Sequence, residues 1–164
     1  MTTTPIRLVG RVEDELSGRL SQNTQLEGTL DGSFAYQGKQ ISVLLIPDKS
    51  ALPQCLGLAR TIVSGITEID ERARDAATDA MLDIYNESWR EYGEVDDDGE
   101  YVEVSNPELT AEEFKSRLAL MNVAVYGDRL VSLSYDDDDL FAGHTIVLTS
   151  VTPACRNFHV ELEG

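Results

Sequence analysis

Ser33-Phe34-Ala35-Tyr36-Gln37-Gly38-Lys39-Gln40-Ile41-Ser42-Val43-Leu44-Leu45-Ile46-Pro47-Asp48 is the stretch on which the fold turns. Two runs of β-branched, aromatic and apolar residues flank Gly38-Lys39, and Gly38 supplies the positive φ that a tight turn needs. The pattern predicts a hairpin with strands at 33–37 and 40–46, stopped by Pro47-Asp48. Downstream the period changes from two to nearly four. Leu52, Leu56, Ala59, Ile62, Val63, Ile66, Ile69, Ala73, Ala76, Ala80, Met81 and Ile84 fall on one helical stripe. Ser50 reads as an N-cap, and Pro53 sits in a first turn whose amides have no intrahelical partner. One helix would be too long for a domain of this size. Gly65 offers a break, and Thr67 with Asp70 three residues on reads as a fresh N-terminus, so the expectation is two helices, 51–65 and 68–91.

Beyond them, 93–106 is rich in acid and reads as an exposed, mobile connector. Thr110-Ala111-Glu112-Glu113 is a capping box in front of Phe114, Leu118 and Leu120, which starts a short third helix. Alternating runs at 123–126, 130–135, 144–151 and 158–162 then predict three or four antiparallel strands, with turns at Gly127-Asp128 and at the aspartate run. On the N-terminal side, 6–12 alternates as a strand and 13–25 is polar and reads as a loop. Strands, then helices, then strands make an α+β domain: an antiparallel sheet with two to three helices packed on one face. The whole chain, 1–164, reads as one domain, with an N-terminal strand and loop region in 1–32.

With 164 residues, 41% of them hydrophobic, the chain has enough apolar surface for a core of its own. It carries 13 Lys and Arg against 30 Asp and Glu, a formal charge of −17. Residues 1–66 are balanced at six of each sign, whereas 67–164 hold seven basic and 24 acidic residues, so the entire excess lies in the second part. Such a field repels phosphate backbones and anionic headgroups, which argues against nucleic-acid and membrane binding. Cys55 and Cys155 stand a hundred residues apart without CxxC spacing, and the N-terminus does not resemble a secretory signal. No apolar run is long enough to span a bilayer. A cytoplasmic protein with free thiols is the expectation.

Two constellations are candidates for function. The first is Tyr135-Asp136-Asp137-Asp138-Asp139-Leu140-Phe141-Ala142-Gly143-His144. Asp136, Asp137 and Asp139 could serve a hard cation such as Ca²⁺ or Mg²⁺, whereas His144 suits Zn²⁺ or Fe better. Leu140 stands where an EF-hand would place its next ligand, and the bland reading is a solvated turn that tucks Leu140 and Phe141 into the core. The second is Tyr85, Trp89 and Tyr92 at the end of the long helix, either helix-to-sheet packing or a partner hot spot. Asn86 beside them suits bonding to a neighbouring backbone. A Cys155 nucleophile would need His144 or His159 in reach, and its spacing gives no support. GxSxG, HExxH, CxxC and phosphate-cradling loops are all missing from the sequence, so nothing in it implies a cofactor and an enzyme is the weaker reading.

Asn86-x-x-Trp89, Leu109-Thr110-x-Glu112-Glu113-Phe114 and Tyr135-Asp136-Asp137-x-Asp139-Leu140-Phe141-x-Gly143-His144 together resemble the bacterial domain of unknown function 2262, over about residues 33–164. This chain departs from the family in having Asp138 where a glycine is usual and Ala142 where an aromatic residue is usual. The resemblance implies a bacterial intracellular domain and brings no reaction, cofactor or catalytic residue with it. The expectation is therefore a non-enzymatic interaction module whose acidic part meets a basic protein partner, in the manner of antitoxin or immunity proteins. The alternatives are a metal-binding protein or metal-dependent enzyme at Asp136–Asp139 and His144, and an acid-rich mimic of nucleic acid. An uncovered sheet edge would also allow a homodimer.

Overall fold

The computed structural model describes residues 20–22 and 26–164; the expected strand at 6–12 and most of the loop at 13–25 lie outside them. The hairpin forms as β2 (Leu30–Tyr36) and β3 (Lys39–Ile46), preceded by a two-residue β1 (Ser21–Gln22) where a loop was expected. The turn is one residue earlier than the glycine alone suggests. Tyr36 faces Lys39, and both Gln37 (φ 48°) and Gly38 (φ 75°) are left-handed, as a two-residue hairpin turn matching the strand twist requires. Gly32 has its own reason: a Cβ there would meet the Leu20 side chain that β1 lays across β2.

Helices α1 (Leu52–Ser64) and α2 (Ile66–Ile84) follow, joined at Gly65. Gln54, with no help from Ser50, satisfies the first turn of α1 by accepting from the Ala51 amide at 3.1 Å. The expected Thr67–Asp70 cap does not form: α2 starts at Ile66, and Asp70 points into the core. Helix α2 ends in one π-helical turn, Tyr85–Trp89, in which the Arg90 amide reaches back to the Tyr85 carbonyl at 3.2 Å. The expected helix to residue 91 is corrected to that extent.

The expected connector at 93–106 is corrected too. It holds a separate exposed hairpin, β4 (Glu91–Val95) and β5 (Tyr101–Ser105), which we term the arm. Its turn is built by Asp96, whose carboxylate accepts from the amides of Asp98 and Glu100, with Gly99 at φ 84°. The capping box at Thr110 forms as read, opening α3 (Ala111–Arg117) with Thr110 and Glu113 exchanging side-chain-to-backbone bonds of 2.8 and 3.3 Å. Those bonds hold the exposed Glu113 carboxyl below the usual carboxylate range.

Strands β6 (Ala119–Tyr126), β7 (Leu130–Asp136), β8 (Thr145–Ser150) and β9 (His159–Glu163) complete a seven-stranded sheet in the order β1-β2-β3-β6-β7-β8-β9. Every neighbouring pair is antiparallel except β3 and β6, which run parallel in register from Ser42 and Asn122 to Ile46 and Tyr126. A parallel neighbour demands a crossover, and everything from α1 to α3 lies within it. The fold is α+β with a mainly antiparallel sheet. Ile41, Val43, Leu45, Val123, Val125, Val131, Leu133, Tyr135, Ile146 and Leu148 are buried at alternate positions, with Cys55, Leu58, Ile62, Ile69, Ala73 and Met81 of the helices in the same core.

Within this core sits a polar node that the helical stripe conceals. Asp70, 2% exposed, accepts from the Tyr135 hydroxyl at 2.8 Å and the Tyr36 hydroxyl at 2.9 Å, and pairs with Arg74 at 3.0 Å. Helix α2 is thereby tied to β2 and β7 at once. Burial, with the Asp70 carboxylate beside them, pushes both phenols above their ordinary range. Among the described residues no helix is long and apolar enough to cross a membrane.

Candidate functional site

The π turn, the arm and the 136–144 loop converge on one cleft of about 520 Å³. Tyr85, Trp89 and Tyr92 contribute aromatic surface, and Glu91, Glu94, Asp138, Asp139 and Arg117 contribute charge. Both candidate constellations of the sequence therefore reach the same place, although not as the clusters expected of them.

Tyr85 is buried and meets the rings of Phe114 and Phe141, at centroid distances of 6.4 and 6.0 Å. Trp89 stands edge-on to Phe141 and to the His144 imidazole, both at 5.4 Å. Tyr92 lies apart from this stack, on β4, with half of its surface open to the cleft and solvent. The missing partners were Phe114 and Phe141, which spacing along one helix cannot reveal.

Asn86 fixes the position of the π turn. Its amide donates to the Leu109 carbonyl at 3.0 Å and its carbonyl accepts from the Leu109 amide at 2.9 Å, imitating a strand neighbour. Arg90 pinches the base of the arm by donating to the carbonyls of Asn86 and Asn106, while the Asn106 amide bonds the Arg90 carbonyl at 2.8 Å. The arm is held at its root and projects from there.

The aspartates divide their work. Asp136 accepts from the Asp138 amide at 3.1 Å, and buried Asp137 accepts from the Phe141 amide at 3.0 Å. Asp138 pairs with Arg117 at 3.2 Å, and Asp139 is exposed at the cleft wall. Burial raises the Asp137 carboxyl above its usual range, against the pull of the amides that bond it. Leu140 and Phe141 are buried, and His144 Nδ1 lies 2.7 Å from the Phe141 carbonyl. Among the described residues no three His, Cys, Asp or Glu side chains gather as a metal ion would require. Asp138 (φ 54°), Asp139 (φ 63°), Ala142 (φ 51°) and Gly143 (φ 84°) are all left-handed. A glycine at position 138 would suit that backbone, and aspartate is one of the few residues that also adopt it.

Cys55 and Cys155 are both free and buried; burial pushes Cys55 up to about 11 and raises Cys155 against the pull of neighbouring Ser150 and Arg72.

Neither a curated protein nor a solved structure matches the chain. A family model does, over residues 14–153, and its description is an uncharacterized protein conserved in bacteria, DUF2262. The match begins upstream of residues 33–164, where the motifs of the resemblance lie, and it takes in the π turn, the arm and the whole 136–144 loop. The chain belongs to the DUF2262 family.

Proposed function

We propose that this protein is a non-enzymatic interaction module that engages a basic protein partner through the arm and the surface around it. One observation carries the reading. From Glu91 to Phe114 there are ten acidic residues and no Lys or Arg, and all ten acids are exposed. The nearest cations are already engaged: Arg90 by Glu91 and Glu108, Lys115 by Glu71 and Asp75, Arg117 by Asp138. The field of the arm is left for a partner to compensate, and the arm adds exposed apolar surface in Val95, Tyr101 and Val102.

The test is capture of partners from a bacterial lysate at about 0.05 and 0.5 M salt, where screening shortens the reach of surface charge several-fold. Captured proteins are identified, remade and measured against the wild type and the triple variant Asp97→Asn, Asp98→Asn, Glu100→Gln. The expected partner is basic, and its affinity falls steeply with salt and in the triple variant. A partner that binds equally well at both salt concentrations refutes the reading.

A further inference from the structure

We propose that the cleft between the π turn, the arm and the 136–144 loop seats an arginine side chain of that basic partner; the inference rests on the interaction reading and deepens it. The cleft volume of about 520 Å³ falls within the range of sites that enclose a small ligand, and an arginine side chain fits with room for its flanking backbone. Its walls combine two features that a guanidinium uses together. Trp89 and Tyr92 offer aromatic surface on which a planar cation stacks, and carboxylates offer a planar acceptor for its forked donors.

The charge balance of the lining selects the sign of the occupant. The lining holds four carboxylates and one guanidinium. Arg117 is committed to Asp138, and Glu91 to Arg90 at 3.1 Å. Glu94 and Asp139 have no ion pair among the described residues, and both line the cleft, one from the arm and one from the loop. An anion would meet uncompensated repulsion here, and a neutral apolar group would cover two carboxylates without pairing them. A guanidinium satisfies both requirements.

Trp89, the single tryptophan of the chain, lines the cleft, so its emission reports occupancy directly. The probes are the peptide Ac-Gly-Arg-Gly-amide, its lysine counterpart, and the citrulline counterpart that keeps the shape and loses the charge. The arginine peptide should change Trp89 emission saturably below about 10 mM, the citrulline peptide should not, and the lysine peptide should bind more weakly. Tyr92→Ala, Glu94→Gln and Asp139→Asn alter exposed side chains, and each should weaken the arginine response about fivefold or more. No saturable response, or equal responses to arginine and citrulline, overturns the assignment; equal responses to arginine and lysine overturn the choice of arginine.

The two proposals fail separately. A partner that keeps its salt-steep affinity for the Tyr92→Ala, Asp139→Asn double variant but loses it for the arm-tip triple variant removes the cleft and leaves the module. A saturable, charge-dependent peptide response alongside a partner indifferent to salt removes the module and leaves the cleft.

Discussion

Ala142 pays a local conformational cost for the loop it closes. At φ 51° its Cβ crowds its own backbone, and the side chain is exposed with no packing to offset the strain. Ala142→Gly should therefore raise stability by about 0.5–1 kcal/mol in urea unfolding, after allowing for the greater freedom glycine has when unfolded. Asp70 lies at the other extreme. Asp70→Ala leaves two tyrosine hydroxyls and Arg74 facing the core without their acceptor and should cost about 3–5 kcal/mol, whereas Tyr135→Phe removes one bond and should cost about 1–2 kcal/mol. Asp137 gives a pH signature. Burial raises its folded value above the ordinary 3.8, so between those two values the folded state holds more proton than the unfolded state. Stability from this group is present below 3.8 and declines as pH rises through the raised value. The carboxamide of Asp137→Asn still offers an oxygen to the Phe141 amide but cannot titrate. The wild type should therefore lose stability relative to that variant as pH climbs through the window, read from denaturant midpoints. None of these residue roles was legible in advance. Asp70 occupies a buried position on a stripe otherwise made of Ile69, Ala73 and Ala77, and one chain cannot show which of 30 acids has a tyrosine across from it.

At the scale of elements, legibility followed the burial pattern. The β2–β3 hairpin, the break at Gly65 and the Thr110 capping box could be read because one face is apolar and the caps are local chemistry. The arm could not. Both of its strands face water, so no buried face marks them: Glu91–Val95 shows no apolar alternation, and that of Tyr101–Ser105 is confined to Val102 and Val104; the other signals available were the Asp96–Gly99 turn and the tyrosines on either side of it. The π turn was hidden for another reason: it depends on one extra residue whose place is set by Asn86 gripping Leu109, a contact across 23 positions. Asn86→Ala strips both bonds from the Leu109 backbone and should cost about 1–3 kcal/mol, with hydrogen exchange at Arg90 and Asn106 accelerating before that of the sheet. Of the candidate site, the sequence offered the residues without their arrangement. Trp89 and His144 do meet, edge-on and with Phe141 against the same tryptophan ring, while Tyr92 leaves the stack because the helix ends before reaching it.

The molecule as a whole carries its charge on one side of its sequence and its order at the centre of its sheet. With −17 concentrated beyond residue 66, self-repulsion opposes the folded state, and salt should relieve it. The melting temperature is expected to rise by several degrees between about 0.01 and 0.5 M NaCl, with equimolar sucrose as the uncharged control. The α+β class was legible because element order alone implies it. The parallel β3–β6 pair was not, since alternate burial of Ile41, Val43, Leu45, Val123 and Val125 is the same whichever way the neighbour runs. That pair has a consequence for the arm. The sheet closes through α1, α2 and α3, while Arg90 and Asn106 bring the two ends of the intervening ribbon side by side. The chain thus leaves and returns at adjacent points, so 94–103 can be exchanged for a short glycine linker, or for an unrelated loop, with no strand of the large sheet displaced. The arm is thus separable from the architecture, and on the interaction reading proposed above a new ribbon grafted onto the unaltered scaffold would change which partner is preferred.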